Sequence, residues 1–217
     1  MPPLRLGHRG ARASRTIPEN TLASFELCLQ HGCDGFEFDV QLSADGEAVI
    51  CHDATTGGLE IAGATAEKLA LPTLHDVLRS FHARAFLDIE LKVAGLEHAT
   101  LEALHRYSPC RGYVVSSFLP EVIRKMYELD PAVPLGFLCE GRARLRTWRE
   151  VPGEWVIPRL DLVDEEMIEM MHEAGKKVMV WTVNQPEAMR KCAAWEVDAI
   201  ISDETEVLVR TLGAPRD

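Results

Sequence analysis

No run of about eighteen apolar residues occurs in the 217-residue chain, which excludes a transmembrane helix of ordinary length. Positive charge is also scarce. Lys and Arg total 23 against 34 Asp and Glu, a formal net charge of −11, so the basic surface that nucleic-acid phosphates demand is missing. The six cysteines (28, 33, 51, 110, 139 and 192) never form a Cys-x-x-Cys pair, which removes zinc-ribbon and thioredoxin-like readings. Scattered single thiols suit a reducing cytoplasm, each serving as a small buried hydrophobe. The stretch Met1 to Leu6 is too short for a secretory leader, and a histidine follows at position 8, so a cytoplasmic location is expected. There is no low-complexity segment and no sequence repeat.

What the chain does have is a regular β/α rhythm. Apolar strands are expected at Leu4–His8, Gly35–Gln41, Phe86–Lys92, Gly112–Phe118, Pro134–Leu138, Trp155–Pro158, Lys177–Val183 and Ala199–Ser202. Between them lie helical patterns. The first opens after Pro18-Glu19-Asn20-Thr21, with Asn20 or Thr21 as its cap, and carries Leu22, Phe25, Cys28 and Leu29 on one stripe. Others begin at Thr73 and run over Glu97–Tyr107, Pro120–Leu129, the short basic Arg142–Arg149, Asp164–Ala174, Pro186–Trp195 and Glu204–Leu212. Ala48 to His52 reads as a hairpin arm returning on the second strand, and Ala54 to Leu71 as a loop or short insertion.

Eight β/α units in this length predict an α/β fold, a (β/α)8 TIM barrel forming one domain over 1–217. A chain of this size buries roughly 70% of its unfolded surface, enough for a substantial core. A doubly wound open sheet is the rival, but no Gly-rich dinucleotide fingerprint follows the first strand. The tail at 213–217 is expected to fray.

In such a barrel the strand C-termini converge on one mouth, where chemistry resides. His8 ends the first strand, Glu37 and Asp39 the second, and Glu90 and Lys92 the third. Residues two apart on a strand project together. Three carboxylates at one mouth repel unless a cation lies between them, and a hard divalent ion with oxygen ligands, Mg²⁺ or Ca²⁺, suits Glu37, Asp39 and Glu90. Asp88 lies one layer deeper and reads as a structural acceptor.

Of eight histidines, only His8 and His52 follow strands. That suits a general acid and a general base. His31, His75, His82, His98, His105 and His172 fall on helices or helix ends and read as exposed. Arg9 offers a planar cationic fork for phosphate and Lys92 a point charge. Arg12, Arg15 and the run Arg142, Arg144, Arg146 and Arg149 read as solvated surface. Trp181 either walls a substrate pocket or fills the top of the barrel.

These residues sit in Gly7-His8-Arg9-Gly10, Pro18-Glu19-Asn20-Thr21, Glu37-Phe38-Asp39-Val40, His52-Asp53, Glu90-Leu91-Lys92, Val115-Ser116-Ser117-Phe118, Val180-Trp181-Thr182-Val183-Asn184 and Ile201-Ser202-Asp203. In that order they resemble the glycerophosphodiester phosphodiesterase family, of the phospholipase-C-like barrel superfamily, over nearly the whole chain. The resemblance implies metal binding by Glu37, Asp39 and Glu90, acid/base work by His8 and His52, and phosphate contact by Arg9 and Lys92. It makes Glu19 an auxiliary site residue. It implies hydrolysis of sn-glycero-3-phosphodiesters to glycerol 3-phosphate and an alcohol such as choline or ethanolamine, with a small-molecule substrate and one divalent cation. The alternative on the same site is a lysophospholipase-D-like or cyclising phosphodiesterase. One departure stands out: Asp53 runs straight into Ala54-Thr55-Thr56-Gly57-Gly58, where many relatives carry a longer stretch with an arginine, so the pocket lip differs.

Overall fold

The structure, a computed structural model, describes residues 2–213. In chain order its elements are β1 (Leu4–Gly7), α1 (Leu22–Gln30), β2 (Gly35–Leu42), β3 (Ala48–Ile50), β4 (Thr55–Thr56), β5 (Leu59–Glu60), α2 (Ala66–Leu69) and α3 (Leu74–Phe81). Then come β6 (Phe86–Leu91), α4 (Glu97–Arg106), β7 (Tyr113–Ser117), α5 (Pro120–Leu129), β8 (Leu135–Cys139) and α6 (Arg142–Leu145). The last are β9 (Trp155–Pro158), α7 (Glu165–Glu173), β10 (Lys177–Val180), α8 (Pro186–Ala194), β11 (Ala199–Ser202) and α9 (Thr205–Leu212). The frayed tail expected from Gly213 onward lies, but for Gly213, outside the described residues.

Parallel pairing runs β1-β2-β6-β7-β8-β9-β10-β11 and returns to β1, where Leu4 pairs with Ala199 while Leu6 pairs with Gly35. The sheet is therefore closed, an eight-stranded parallel barrel with helices between the strands. β3 lies antiparallel on the end of β2, Val40 opposite Ile50, as the hairpin arm expected from the sequence.

Period two sorts the strand residues. On β2, Phe36, Phe38 and Val40 face the helices and are fully buried. There Phe25 of α1 stacks on Phe36 at 4.3 Å, and Phe81 of α3 meets Phe36 edge-on at 5.1 Å. The opposite parity points into the barrel. Leu6, Val114, Leu138, Trp155, Ile157, Met179, Ala199 and Ile201 form an inner apolar cluster. On β2 and β6 the inward positions beyond Gly35 and Phe86 are instead Glu37, Asp39, Asp88 and Glu90, all buried. Close approach of these two strands requires Gly35, since a Cβ there would lie 1.8 Å from the Phe86 carbonyl oxygen.

Some boundaries shift from the sequence expectation. The segment after Asp53 is no plain loop. β4 and β5 pair, α2 is capped by Thr65, and Val49, Ile61, Ala64 and Leu69 make a small core of their own. The basic stretch after β8 breaks into α6 and a separate 3₁₀ turn at Trp148–Glu150, because Leu145 and Trp148 both turn inward while the four arginines stay exposed. β10 stops at Val180; beyond it Trp181 keeps only a single bridge, to Arg159. Among the described residues no helix is long and apolar enough to cross a membrane.

Candidate active site

The loop after β1 carries the first part of the site. Gly7 and Gly10 let this loop fold tightly: a Cβ on Gly7 would lie 2.4 Å from the Gly10 carbonyl oxygen, and Gly10 has φ +82° against Ser24. Arg9 and Asn20 also hold left-handed backbone, φ 52° and 55°, at a cost on the order of 1–2 kcal/mol for a residue such as arginine. The Arg9 carbonyl fixes both ends, accepting from the Asn20 amide at 3.1 Å and the Ser24 hydroxyl at 3.2 Å. Thr21 is the residue that caps α1, through the Ser24 amide. Asn20 has another task. Its amide donates to Asp39 Oδ2 at 2.8 Å, and its Oδ1 accepts from the Asp39 backbone at 3.3 Å.

Glu37, Asp39 and Glu90 come together. Asp39 is paired in register with Glu90 across β2 and β6, and one oxygen of each of the three carboxylates lies within 4.8 Å of the others. All three are at least 94% buried, with exposures of 3%, 1% and 6%. Their surroundings only partly satisfy them. The Arg9 amide donates to Glu37 Oε2 at 2.9 Å. Arg9 Nε lies 3.2 Å from Asp39 Oδ2, and Lys92 Nζ lies 3.1 Å from Asp39 Oδ1 and 2.6 Å from Glu90 Oε1. Even so, Glu37 Oε1, Asp39 Oδ1 and Glu90 Oε1 lack a hydrogen bond of acceptable geometry. Burial and the neighbouring Asp39 and Glu90 push the Glu37 carboxyl well above its usual range. Burial and Asp39 raise Glu90 to about 7, with Lys92 opposing. Burial works against Asp39 too, but Lys92 and Arg9 hold it below the usual range. Three acidic groups against two cations, with Glu37 Oε1 unpartnered and Asp39 Oδ1 and Glu90 Oε1 sharing the single Lys92 ammonium, fit a hard divalent cation. Asp88 stands apart from that set. Burial raises it to about 7; the Ser116 hydroxyl donates to its Oδ1 at 2.6 Å, while its Oδ2 is buried without a hydrogen bond.

His8 follows β1 immediately. Its Nδ1 lies 2.7 Å from Asp203 Oδ1, and its Nε2 faces Glu37 Oε2 at 3.9 Å. Asp203 in turn accepts from Asn184 Nδ2 at 2.7 Å and Arg12 Nη1 at 3.1 Å. Burial opposes ionisation of Asp203, yet the hydrogen bonds from His8, Asn184 and Arg12 hold it far below the usual range. An ionised Asp203 fixes the proton on Nδ1 and leaves Nε2 free toward the acidic cluster. His52 sits in the bend after β3, with Nδ1 2.7 Å from Asp53 Oδ1 and its carbonyl held by Gln41 Nε2 at 3.2 Å. Both imidazoles line one cleft of about 430 Å³. Arg9, Glu37, Glu90 and Lys92 share that wall; Phe118, Leu138, Glu140 and Trp181 form the other.

Glu19 lies further out, bracing Arg9 Nη1 and Arg12 Nε, both at 2.6 Å. Arg12 is exposed as expected, but its pairing with Glu19 and Asp203 ties it to the site. Trp181 lines the cleft and packs on the inner apolar cluster. Its indole N–H donates to the Ile157 carbonyl at 3.0 Å. Of the six helical histidines, His98 and His105 are exposed; the other four are half-buried, with His31 on Thr205 and His172 on Asp198. Sequence reasoning passed over Asp203 and Asn184 as site residues. Each was visible only as a letter in a motif, because their partners lie more than a hundred residues away or on another strand end.

A closed β/α barrel whose mouth gathers buried acids and two imidazoles is the scaffold of an enzyme. The model of the Glycerophosphoryl diester phosphodiesterase family matches residues 8–207, and the chain belongs to that family. A glycerophosphodiester phosphodiesterase of Caldanaerobacter subterraneus is 29% identical over 96% of this chain and 97% of its own. Among solved structures, an Oleispira antarctica phosphodiesterase in complex with the product sn-glycerol-3-phosphate superposes with a TM-score of 0.85 at 26% identity, covering 97% of this chain and 96% of that one. A glycerophosphodiester phosphodiesterase of Thermotoga maritima gives a TM-score of 0.81, also at 26% identity, over 96% and 97% of the two chains.

Proposed function

We propose that this chain hydrolyses sn-glycero-3-phosphodiesters to glycerol 3-phosphate and an alcohol, with Glu37, Asp39 and Glu90 holding one divalent cation and His8 and His52 moving the protons. The observation that carries this reading is the trio of buried carboxylates, two of which, Glu37 and Glu90, line the same cleft as both imidazoles; Glu37 Oε1 has no partner, and Asp39 Oδ1 and Glu90 Oε1 share the single Lys92 ammonium. The names of the relatives support the substrate class, as does the glycerol phosphate held by the Oleispira structure. The six free cysteines support a reducing, cytoplasmic setting.

Mg²⁺ or Ca²⁺ bound by the three carboxylates supplies Lewis-acid polarisation of a phosphoryl oxygen. The rest falls to the chain itself. Arg9 and Lys92 line the cleft and carry the positive charge that a phosphodiester needs, in a protein that is otherwise strongly acidic. Glu19 and Asp39 hold the Arg9 fork in place. Displacement at phosphorus needs one group to take a proton from the nucleophile and another to give one to the departing alkoxide. His8 Nε2, oriented through Asp203, meets the requirement for one of these; His52, held on its own carboxylate, meets it for the other. The ring of Trp181 walls the organic part of the substrate.

The test is release of glycerol 3-phosphate from glycerophosphocholine, glycerophosphoethanolamine and glycerophosphoglycerol, with lysophosphatidylcholine as the acylated control. Turnover of the deacylated diesters is expected, abolished by chelation and restored by Mg²⁺ or Ca²⁺. Undiminished turnover by metal-stripped protein, or no release from any diester, overturns the reading.

A further inference from the structure

The far wall of the mouth has chemistry that phosphoryl transfer does not use. On β7, β8 and β10 the inward residues Val114, Leu138 and Met179 belong to the inner apolar cluster. Carrying the alternation past the strand ends places Phe118, Glu140 and Trp181 on the same inward parity, and all three line the cleft. Phe118 and Trp181 meet edge-on with ring centroids 5.5 Å apart. The polar edge of Trp181 is spent on the Ile157 carbonyl, so what the side chain has left to offer is its ring face. Glu140 is exposed and, among the described residues, makes no hydrogen bond or ion pair. Arg159 is close enough to feel its charge, but that guanidinium is bound to both oxygens of Asp161, at 2.5 and 2.8 Å. Two other cations lie near: Lys92 Nζ is 5.8 Å from the Phe118 ring on the phosphate side, and Arg144 Nη1 is spent on the Phe118 carbonyl at 3.0 Å.

We infer that Phe118, Glu140 and Trp181 form a subsite for an alkylammonium group on the departing alcohol, so that the chain favours diesters of amino alcohols over diesters of neutral ones. An unpaired carboxylate beside aromatic faces is the chemistry that recognises a primary or quaternary ammonium. The two walls then match the two ends of a zwitterion: Arg9 and Lys92 face the phosphate, and Glu140 with the rings faces the amine. This inference rests on the phosphodiesterase reading above.

The test compares kcat/KM for glycerophosphocholine and glycerophosphoglycerol, read as a ratio. Glu140→Gln is expected to lower the choline-to-glycerol ratio about threefold to tenfold, Glu140→Lys further, and Glu140→Asp to keep most of it. The change should fall mainly in KM for the choline diester, and added salt should erode the wild-type ratio. Choline chloride should compete with glycerophosphoglycerol in the wild type and more weakly in Glu140→Gln. A ratio that stays put in both Gln and Lys variants overturns the inference. So does an equal fall for both substrates, which would place Glu140 on the shared glycerol half. A wild type that turns over neither diester overturns the hydrolysis reading itself, a result distinct from an unmoved ratio.

Discussion

The barrel has a cavity at each end, and the larger one, about 640 Å³ at the N-terminal ends of the strands, is not the one that holds the candidate site. Its buried charge is matched. Arg5, 4% exposed, is held by both oxygens of Asp34 at 2.9 Å, and His172 Nε2 rests on Asp198 at 3.0 Å. The mouth, about 430 Å³, holds more buried acid than the nearby cations satisfy. Volume therefore says little about where a barrel works. Charges that find partners hold the fold together, and charges left short of partners mark the site, since burying them is unfavourable until something binds.

Substitutions at the two ends should separate along that line. The largest effect is expected at the mouth: His8→Ala or His52→Ala lowers kcat about 10²- to 10⁴-fold while thermal stability stays near wild type. Near-normal turnover in either variant would remove that histidine from the acid/base pair. Asp34→Ala at the opposite end should do the reverse. It leaves the Arg5 guanidinium, whose side chain is 5% exposed, with only the Gly213 carbonyl as a partner and should destabilise the fold by roughly 3 kcal/mol. A denaturant midpoint that does not move would show that the floor pair is not structural. Turnover by the folded fraction should stay within a few-fold.

A smaller effect follows from Asp203. Its folded carboxyl titrates below the ordinary aspartate value of about 3.9. The stability it contributes is therefore complete above that ordinary value and is lost as pH falls through the folded one. Asp203→Asn should flatten the acid limb of the stability curve below about pH 4, while also slowing turnover through loss of the His8 anchor. An acid limb identical to wild type would contradict the hydrogen bonds assigned to this carboxylate.

The two ends also differ in how readable they were. Glu37, Asp39 and Glu90 stood out in the sequence because acids at alternate positions of an apolar strand have no bland explanation inside a closed barrel. His8 and His52 stood out by following strands. The eight barrel strands were legible for the same reason: period two with helices between. Asp203 did not stand out, since an acid after a strand is common and its tie to His8 spans 195 positions. Glu140 was equally silent, because a solvated glutamate is ordinary until Trp181 and Phe118 are placed beside it. Asn20 looked like a cap, and only the fold shows that Thr21 caps α1 while Asn20 reaches across to Asp39. The insertion after Asp53 was opaque, since its elements are two to four residues long and owe their order to Val49 and Ile61 beneath them.

The most direct test of the central claim is calorimetric titration of metal-stripped protein with Mg²⁺ and Ca²⁺, wild type against Glu37→Gln. The expected result is one ion per wild-type chain, with binding weakened at least tenfold in the variant and glycerol 3-phosphate release lost with it. Equal binding by the two proteins, or no binding by a wild type that still releases glycerol 3-phosphate, would contradict the account.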